Sequence, residues 1–216
     1  VSTADALDDA DREALARVRT FLSTGAPIGE QLLASASALM PNATPHTPYG
    51  MTECLLVTDV TLDGIRDAAG APDDGVCVGR PIGSNRVLVS ALDSAGRATG
   101  EPSDAAGVLG EFVISAPHLK DHYDRLWLTD RTAERGTPSA GDADDRSAER
   151  WHRTGDVGHL DAEGRVWVEG RLQHVIVAAD GPVAPVGAEQ DVEGVSEVRR
   201  AAVVGVGPEG LRQAVA

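Results

Sequence analysis

Apolar and polar positions alternate most clearly between Trp151 and Gln173. Two apolar runs, Val157–Leu160 and Val166–Val168, flank the turn Asp161-Ala162-Glu163-Gly164, a pattern that predicts a β-hairpin. Asp156 then stands at the entrance of the first strand and Arg171 just past the end of the second. A carboxylate and a guanidinium are thereby carried to the same end of one rigid element. Upstream, residues 4–19 are rich in helix formers and place Leu7, Leu15 and Val18 on one stripe, with Asp8, Asp9 and Asp11 marking an exposed first turn. Phe21-Leu22-Ser23-Thr24 reads as a short buried strand ending at Gly25-Ala26-Pro27. Residues 28–40 predict an amphipathic helix with Leu32, Leu33, Ala36, Leu39 and Met40 inward, stopped by Pro41; a loop over 42–48 then leads to Tyr49. Strand, helix and loop in that order follow the βα pattern of a sheet whose ligands gather at strand ends.

From Val76 to Gly110 the pattern turns β-rich, with the runs Val76–Pro81 and Arg86–Leu92 and a turn at Asp93-Ser94-Ala95-Gly96, and Gly110–Pro117 is expected as another strand. Residues 130–149 hold almost no large apolar side chain and predict a mobile surface loop, because little burial offsets the entropy of ordering them. After Arg171 a new unit begins. A strand is expected at Val175–Ala178, a turn at Gly181–Pro185, a short helix at Val186–Val195 and a buried strand at Ala201–Val206. The last run, Gln213–Ala216, is expected to be frayed or to pair with another molecule.

Composition narrows the class. The 216 residues are 42% hydrophobic with 24 glycines and 12 prolines, which suits one or two globular domains rather than a disordered chain. The formal net charge of −15 is repelled by nucleic acid and by anionic membranes, and Arg199-Arg200 is the longest basic run, so neither is an expected partner. No apolar run is long enough to span a membrane and the first residues do not resemble a signal peptide, from which a cytoplasmic location is expected. Cys54 and Cys77 fit neither a disulfide framework nor a zinc site and are expected to be small buried apolar residues. The missing initiator Met points to a piece of a longer protein.

The candidate chemistry is that of a nucleotide site. Asp156 can accept both hydroxyls of a ribose and Arg171 can take a phosphate in a bidentate grip. The turn Gly25-Ala26-Pro27 lets a flat ring approach the backbone closely, because Gly excludes nothing. In Thr47-Pro48-Tyr49-Gly50-Met51-Thr52-Glu53, the aromatic face of Tyr49 can stack on adenine, and Gly50 permits a tight turn before Met51. Thr52 can donate its hydroxyl to an α-phosphate, and Glu53 can ligate Mg²⁺.

The ordered set Gly25-Ala26-Pro27, Tyr49-Gly50-Met51-Thr52-Glu53, Arg153-Thr154-Gly155-Asp156 and Gly170-Arg171 resembles the adenylate-forming superfamily, which includes acyl-CoA synthetases, luciferases and nonribosomal-peptide adenylation domains. The resemblance implies the later part of a large α/β domain with a β-rich subdomain (residues 1–171), followed by an incomplete small α+β domain (172–216). It implies ATP or AMP and Mg²⁺ as cofactors, with Gly25, Ala26, Pro27, Tyr49, Gly50, Met51, Thr52, Asp156 and Arg171 toward the nucleotide. Thr52, Glu53 and Arg171 would be the catalytic groups and Glu53 the metal ligand. The strand Gly110–Ser115 and the pair His122-Tyr123 resemble structural parts of the same domain, and no chemistry is assigned to them. Gln173 falls at the family's hinge position, where Asp or Lys is usual. The family's phosphate loop and its C-terminal catalytic Lys are missing, so the chain is expected to be a fragment that is inactive alone. Its segments Trp151–Gly158, Gly170–His174 and Gly205–Gln213 look most like the β-lactone synthetases of long-chain olefin biosynthesis. The implied substrate is a long-chain 2-alkyl-3-hydroxy acid, and partner enzymes of a lipid pathway follow. A fatty acid–CoA ligase and a non-catalytic nucleotide-binding module are the alternatives.

Overall fold

The computed structural model describes residues 4–26, 28–68, 75–138, 149–208 and 210–216. The chain opens with a 3-10 turn at Ala4–Ala6 and helix α1 (Asp9–Ala16), whose Asp8 accepts the Asp11 N–H while Asp11 accepts that of Asp8, a reciprocal cap at the acidic first turn. Strand β1 (Thr20–Leu22), helix α2 (Glu30–Leu39) and strand β2 (Thr44–His46) form a parallel unit in which Thr20 pairs with Thr44 and Leu22 with His46. The segment expected as a plain loop before Tyr49 thus contains a strand. Within α2 only Leu33 is fully buried and Leu32 faces solvent, so the inward face is narrower than its sequence implies; Leu22 of β1 is exposed as well.

Strands β3 (Tyr49–Met51) and β4 (Cys54–Asp59) make a hairpin that turns at Thr52-Glu53, and β6 (Arg80–Pro81) extends it beyond helix α3 (Leu62–Ala68) and β5 (Val76–Cys77). Strands β7 (Arg86–Ala91), β8 (Gly110–Ser115), β9 (His152–Leu160) and β10 (Val166–Arg171) join β5 in an antiparallel sheet of order β5-β10-β9-β8-β7. Side-chain alternation divides its two faces. Val87, Val89, Phe112, Ile114, Val166 and Val168 point into the main core, where Val57, Val76 and Val78 meet them. On the other face Leu88, Val113 and Trp151 cluster, and Trp167 packs with Cys77 and Ala68 of α3. Both cysteines are buried and unpaired, as expected.

Helix α4 (Trp127–Glu134) replaces the start of the loop expected over 130–149; residues 139–148 of that span lie outside the described residues. After β10 a 3-10 turn, Leu172–His174, leads to β11 (Ile176–Ala178), β12 (Gly181–Val183), α5 (Pro185–Glu193), β13 (Val204–Val206) and β14 (Gln213–Val215). The expected Gly181–Pro185 turn is in part strand β12, paired with β11. The final strand is not left without a neighbour, since Val204 pairs with Val215 and Val206 with Gln213. Both Val204 and Val206 are more than half exposed, so this strand is not the buried one expected from its apolar run. No helix among the described residues is long and apolar enough to cross a membrane.

Candidate functional site

The β9–β10 hairpin turns at Asp161–Gly164, held by the Asp161 carboxylate, which accepts the Trp167 indole N–H at 2.9 Å and the Glu163 backbone N–H at 3.0 Å. Val166 lies opposite Leu160 and Val168 opposite Gly158, but the register then shifts by one residue, so Arg171 lies opposite Asp156. This bulge decides the site: without the extra residue, strand alternation would set Gly170 across from Asp156. The Arg171 guanidinium reaches the Asp156 Oδ1 at 3.0 Å. Gly155, at φ +74°, adopts a left-handed turn that few side-chain-bearing residues tolerate, and its N–H donates to Glu111 Oε1 at 3.1 Å. Arg153 donates to the other Glu111 oxygen at 2.6 Å and to the Arg135 carbonyl at 2.6 Å. Thus Arg153 and Gly155 of the Arg-Thr-Gly-Asp run are tied to Glu111, and Asp156 is the member tied to Arg171.

Tyr49 enters from β3. Its hydroxyl donates to Asp156 Oδ2 at 2.7 Å, and its ring meets Phe112 nearly edge-on, 6.2 Å between centroids. Gly50 sits in the irregular part of the β3–β4 register, where a Cβ would come within 3.0 Å of the Cys54 carbonyl and the Leu55 side chain. Close packing of the hairpin, more than turning, requires this glycine. Gly25, Ala26, Tyr49, Gly50, Met51, Asp156 and Arg171 line one cavity of about 280 Å³, closed on its far side by His174, Pro185, Val186 and Glu189 from the unit beyond β10. Pro27 lies outside the described residues.

A second cavity, of about 610 Å³, shares Gly50, Met51 and Arg171 with the first and continues past Thr52, Glu53, Tyr123, His152 and the Thr129, Thr132 and Ala133 side of α4. Exposed Thr52 and half-buried Glu53 reach it from the hairpin turn. All the expected site residues that are described fall on these two adjoining cavities, with Arg171 at their junction. Tyr123 and His152 also line the second cavity, and sequence reasoning gave them no role. Tyr123 is 70 positions from Glu53 and no local pattern links them.

The two carboxylates respond differently to their surroundings. Burial pushes Asp156 above the usual carboxylate range, even though Tyr49 and Arg171 both pull it down. Burial also raises the Tyr49 phenol well above its ordinary value, reinforced by the Asp156 charge. Burial works against ionised Glu53 as well, but the Tyr123 hydroxyl, which donates to Glu53 Oε1, together with its own backbone and the charges nearby, brings it below its usual range. His152 is lowered chiefly by burial.

Among the described residues no cluster of three or more His, Cys, Asp or Glu could hold a metal by itself. Glu111 also lines the second cavity but is engaged by Arg153 and Gly155, which leaves Glu53 as the readily ionised carboxylate that fits Mg²⁺, a cation that keeps several waters and takes substrate phosphates as ligands.

The family profile described as AMP-binding enzyme matches residues 2–123. An olefin β-lactone synthetase from Xanthomonas campestris is 39% identical over 209 residues, which cover 93% of this chain and 36% of that protein. Another olefin β-lactone synthetase, from Stenotrophomonas maltophilia, is 36% identical over 92% of this chain and 36% of its own length. The chain therefore spans about a third of the curated relatives it matches. Its fold is similar to that of an O-succinylbenzoate coenzyme A synthetase from Bacillus subtilis, solved in complex with ATP and magnesium ion, with a TM-score of 0.66 and 19% identity over 94% of this chain and 38% of that one.

Proposed function

This chain belongs to the AMP-binding enzyme family, and we propose that it forms the nucleotide-facing part of an enzyme that activates a fatty acid-like carboxylic acid with ATP. The single observation that carries the reading is the meeting of Asp156, Arg171 and Tyr49 at one cavity wall beside Gly25 and Ala26. In this reading residues 1–171 belong to the large domain and 172–216 begin the small one, in a cytoplasmic enzyme that works with others of a lipid pathway.

In the cavity lined by Gly25 and Ala26, adenine lies along the backbone and the ribose hydroxyls donate to Asp156. Tyr49 holds that carboxylate from the protein side, so it needs no rearrangement to accept the sugar. Arg171 stands where the phosphate leaves this cavity for the second one, and Thr52 donates to it there. Glu53 would hold Mg²⁺, and the cation would supply charge neutralisation at the phosphates when bound. A carboxylate oxygen of the substrate attacks the α-phosphorus, the bond to the bridging oxygen breaks, and pyrophosphate leaves an acyl adenylate. In a 2-alkyl-3-hydroxy acid the substrate's own hydroxyl oxygen then attacks the activated acyl carbon. The hydroxyl proton passes to water, the bond between the acyl carbon and the phosphate oxygen breaks with its electron pair going to AMP, and a four-membered β-lactone closes. The similarity to two olefin β-lactone synthetases over more than nine-tenths of this chain supports that substrate class.

The test is ATP–pyrophosphate exchange by the protein that carries this chain. Exchange dependent on a long-chain 2-alkyl-3-hydroxy acid, with lactone as product and no coenzyme A, is the expected result. Exchange with plain fatty acids accompanied by thioester formation assigns a ligase instead, and AMP binding without exchange assigns a nucleotide-binding module.

A further inference from the structure

Glu53 is gripped at two points by one closed circuit of contacts. The Lys120 N–H donates to the Glu53 carbonyl at 2.8 Å. The Lys120 ammonium pairs with Asp130 Oδ1 at 2.5 Å, both side chains being largely buried. The other Asp130 oxygen accepts the Tyr123 backbone N–H at 2.9 Å. The Tyr123 hydroxyl returns to the Glu53 carboxylate and closes the ring. The Lys120 Nζ also lies over the Tyr123 ring, 4.2 Å from its centroid, so the phenol is held from its face as well as from its backbone. Asp130 belongs to the first turn of α4, where a negative charge is favoured, and this anchors the circuit to a helix that lines the cavity.

We propose that Tyr123 is a positioning residue for Glu53: its hydroxyl occupies Oε1, fixes the carboxylate rotamer and leaves Oε2 as the oxygen presented to a divalent cation in the cavity. The inference rests on the reading of Glu53 as the metal ligand. Its physical basis is that a ligand carboxylate free to rotate must be ordered when the cation binds, whereas one already fixed by an outer partner is not. The Tyr123 hydroxyl takes Oε1, and Tyr123 and Glu53 line the same cavity wall. The Lys120–Asp130 pair completes the device by holding Tyr123 without itself touching the carboxylate.

Two readouts on the whole chain test this. The first follows the Glu53 carboxyl by carbon NMR as pH falls, with Glu53→Gln assigning the resonance. Wild-type Glu53 should titrate below the ordinary glutamate range, and Tyr123→Phe, which keeps the ring under Lys120, should move it upward. An unmoved titration overturns the proposal. The second measures Mn²⁺ binding in the presence of AMP by water-proton relaxation. Tyr123→Phe should weaken Mn²⁺ about tenfold, in line with losses of outer-shell partners at metal sites, while adenosine affinity stays unchanged. Asp130→Asn, which loosens the circuit from its far side, should weaken it less in the same direction. If Glu53→Gln loses Mn²⁺ but Tyr123→Phe retains it fully, the role of Tyr123 falls and the metal reading stands. If Glu53→Gln binds Mn²⁺ like the wild type, the cation is not on Glu53 and both readings fall.

Discussion

The two cavities that meet at Arg171 are built by different means. In the smaller one, strand pairing does the positioning: Asp156 and Arg171 are register partners across β9 and β10, and Tyr49 comes from the adjoining hairpin. In the larger one, side chains do it: Glu53 projects from a two-residue turn and is steadied by Tyr123, Lys120 and Asp130. The difference shows in the carboxylates. Asp156 is 6% exposed, and burial outweighs its two partners. Glu53 is less enclosed, and there the hydrogen bonds and nearby charges outweigh burial. A carboxylate set by register is placed accurately but ionises reluctantly, whereas one set by side chains ionises readily and depends on each partner that holds it.

The largest effect should come from cutting into the core against which Tyr49 and Met51 pack. Phe112 is fully buried in the interior strand β8 and touches Tyr49, so Phe112→Ala should destabilise the fold by about 3–5 kcal/mol. Urea unfolding measures this, and adenosine and Mn²⁺ binding should weaken together. Next, Arg171→Ala should weaken AMP about tenfold or more and adenosine much less, since a hydrogen bond to a charged group contributes about 1.5–3 kcal/mol. Equal losses for both ligands in calorimetry would remove the phosphate from Arg171. Lysine at this position should not restore the difference, because it lacks the planar fork.

A finer division comes from pH. The raised pKa of Asp156 means that its contribution to stability is present below the ordinary carboxylate range and is lost as pH rises through the raised value. Relative to wild type, Asp156→Asn should therefore gain stability as pH climbs from the ordinary carboxylate range toward neutrality. Glu53, whose pKa is lowered, contributes stability above the ordinary glutamate range and loses it as pH falls through the lowered value. Glu53→Gln should be less stable than wild type at neutral pH, with the gap closing in acid. Urea midpoints across pH 3–7 should show these opposite slopes, and parallel slopes would erase the distinction between the cavities. Adenosine affinity should likewise decline on acidification at a higher pH than Glu53-dependent Mn²⁺ binding does.

The hairpin was legible because its signals are local: alternation on both sides of Asp161–Gly164 fixes the strands, and the pairing follows. The bulge was not foreseen, although Gly170 inside a strand pattern is the kind of residue that marks one. Helix α4 has no local signal, because its N-cap residue Leu126 offers no side-chain cap and only Ala133 of the helix is buried. The β13–β14 pairing is not visible in the last apolar run alone, because it depends on the turn through Gly207-Pro208 that folds this run back on its predecessor. Of the site, the motif residues were visible as types, but the Tyr123–Glu53 contact arises from tertiary approach over 70 positions and leaves no periodic trace.

Calorimetric titration of AMP into the wild-type chain and Asp156→Ala tests the nucleotide site most directly. The expected result is binding by the wild type that drops at least a hundredfold in the variant, as the loss of two hydrogen bonds to a charged group of about 1.5–3 kcal/mol each requires. AMP bound by Asp156→Ala as tightly as by the wild type would place the ribose elsewhere and contradict it.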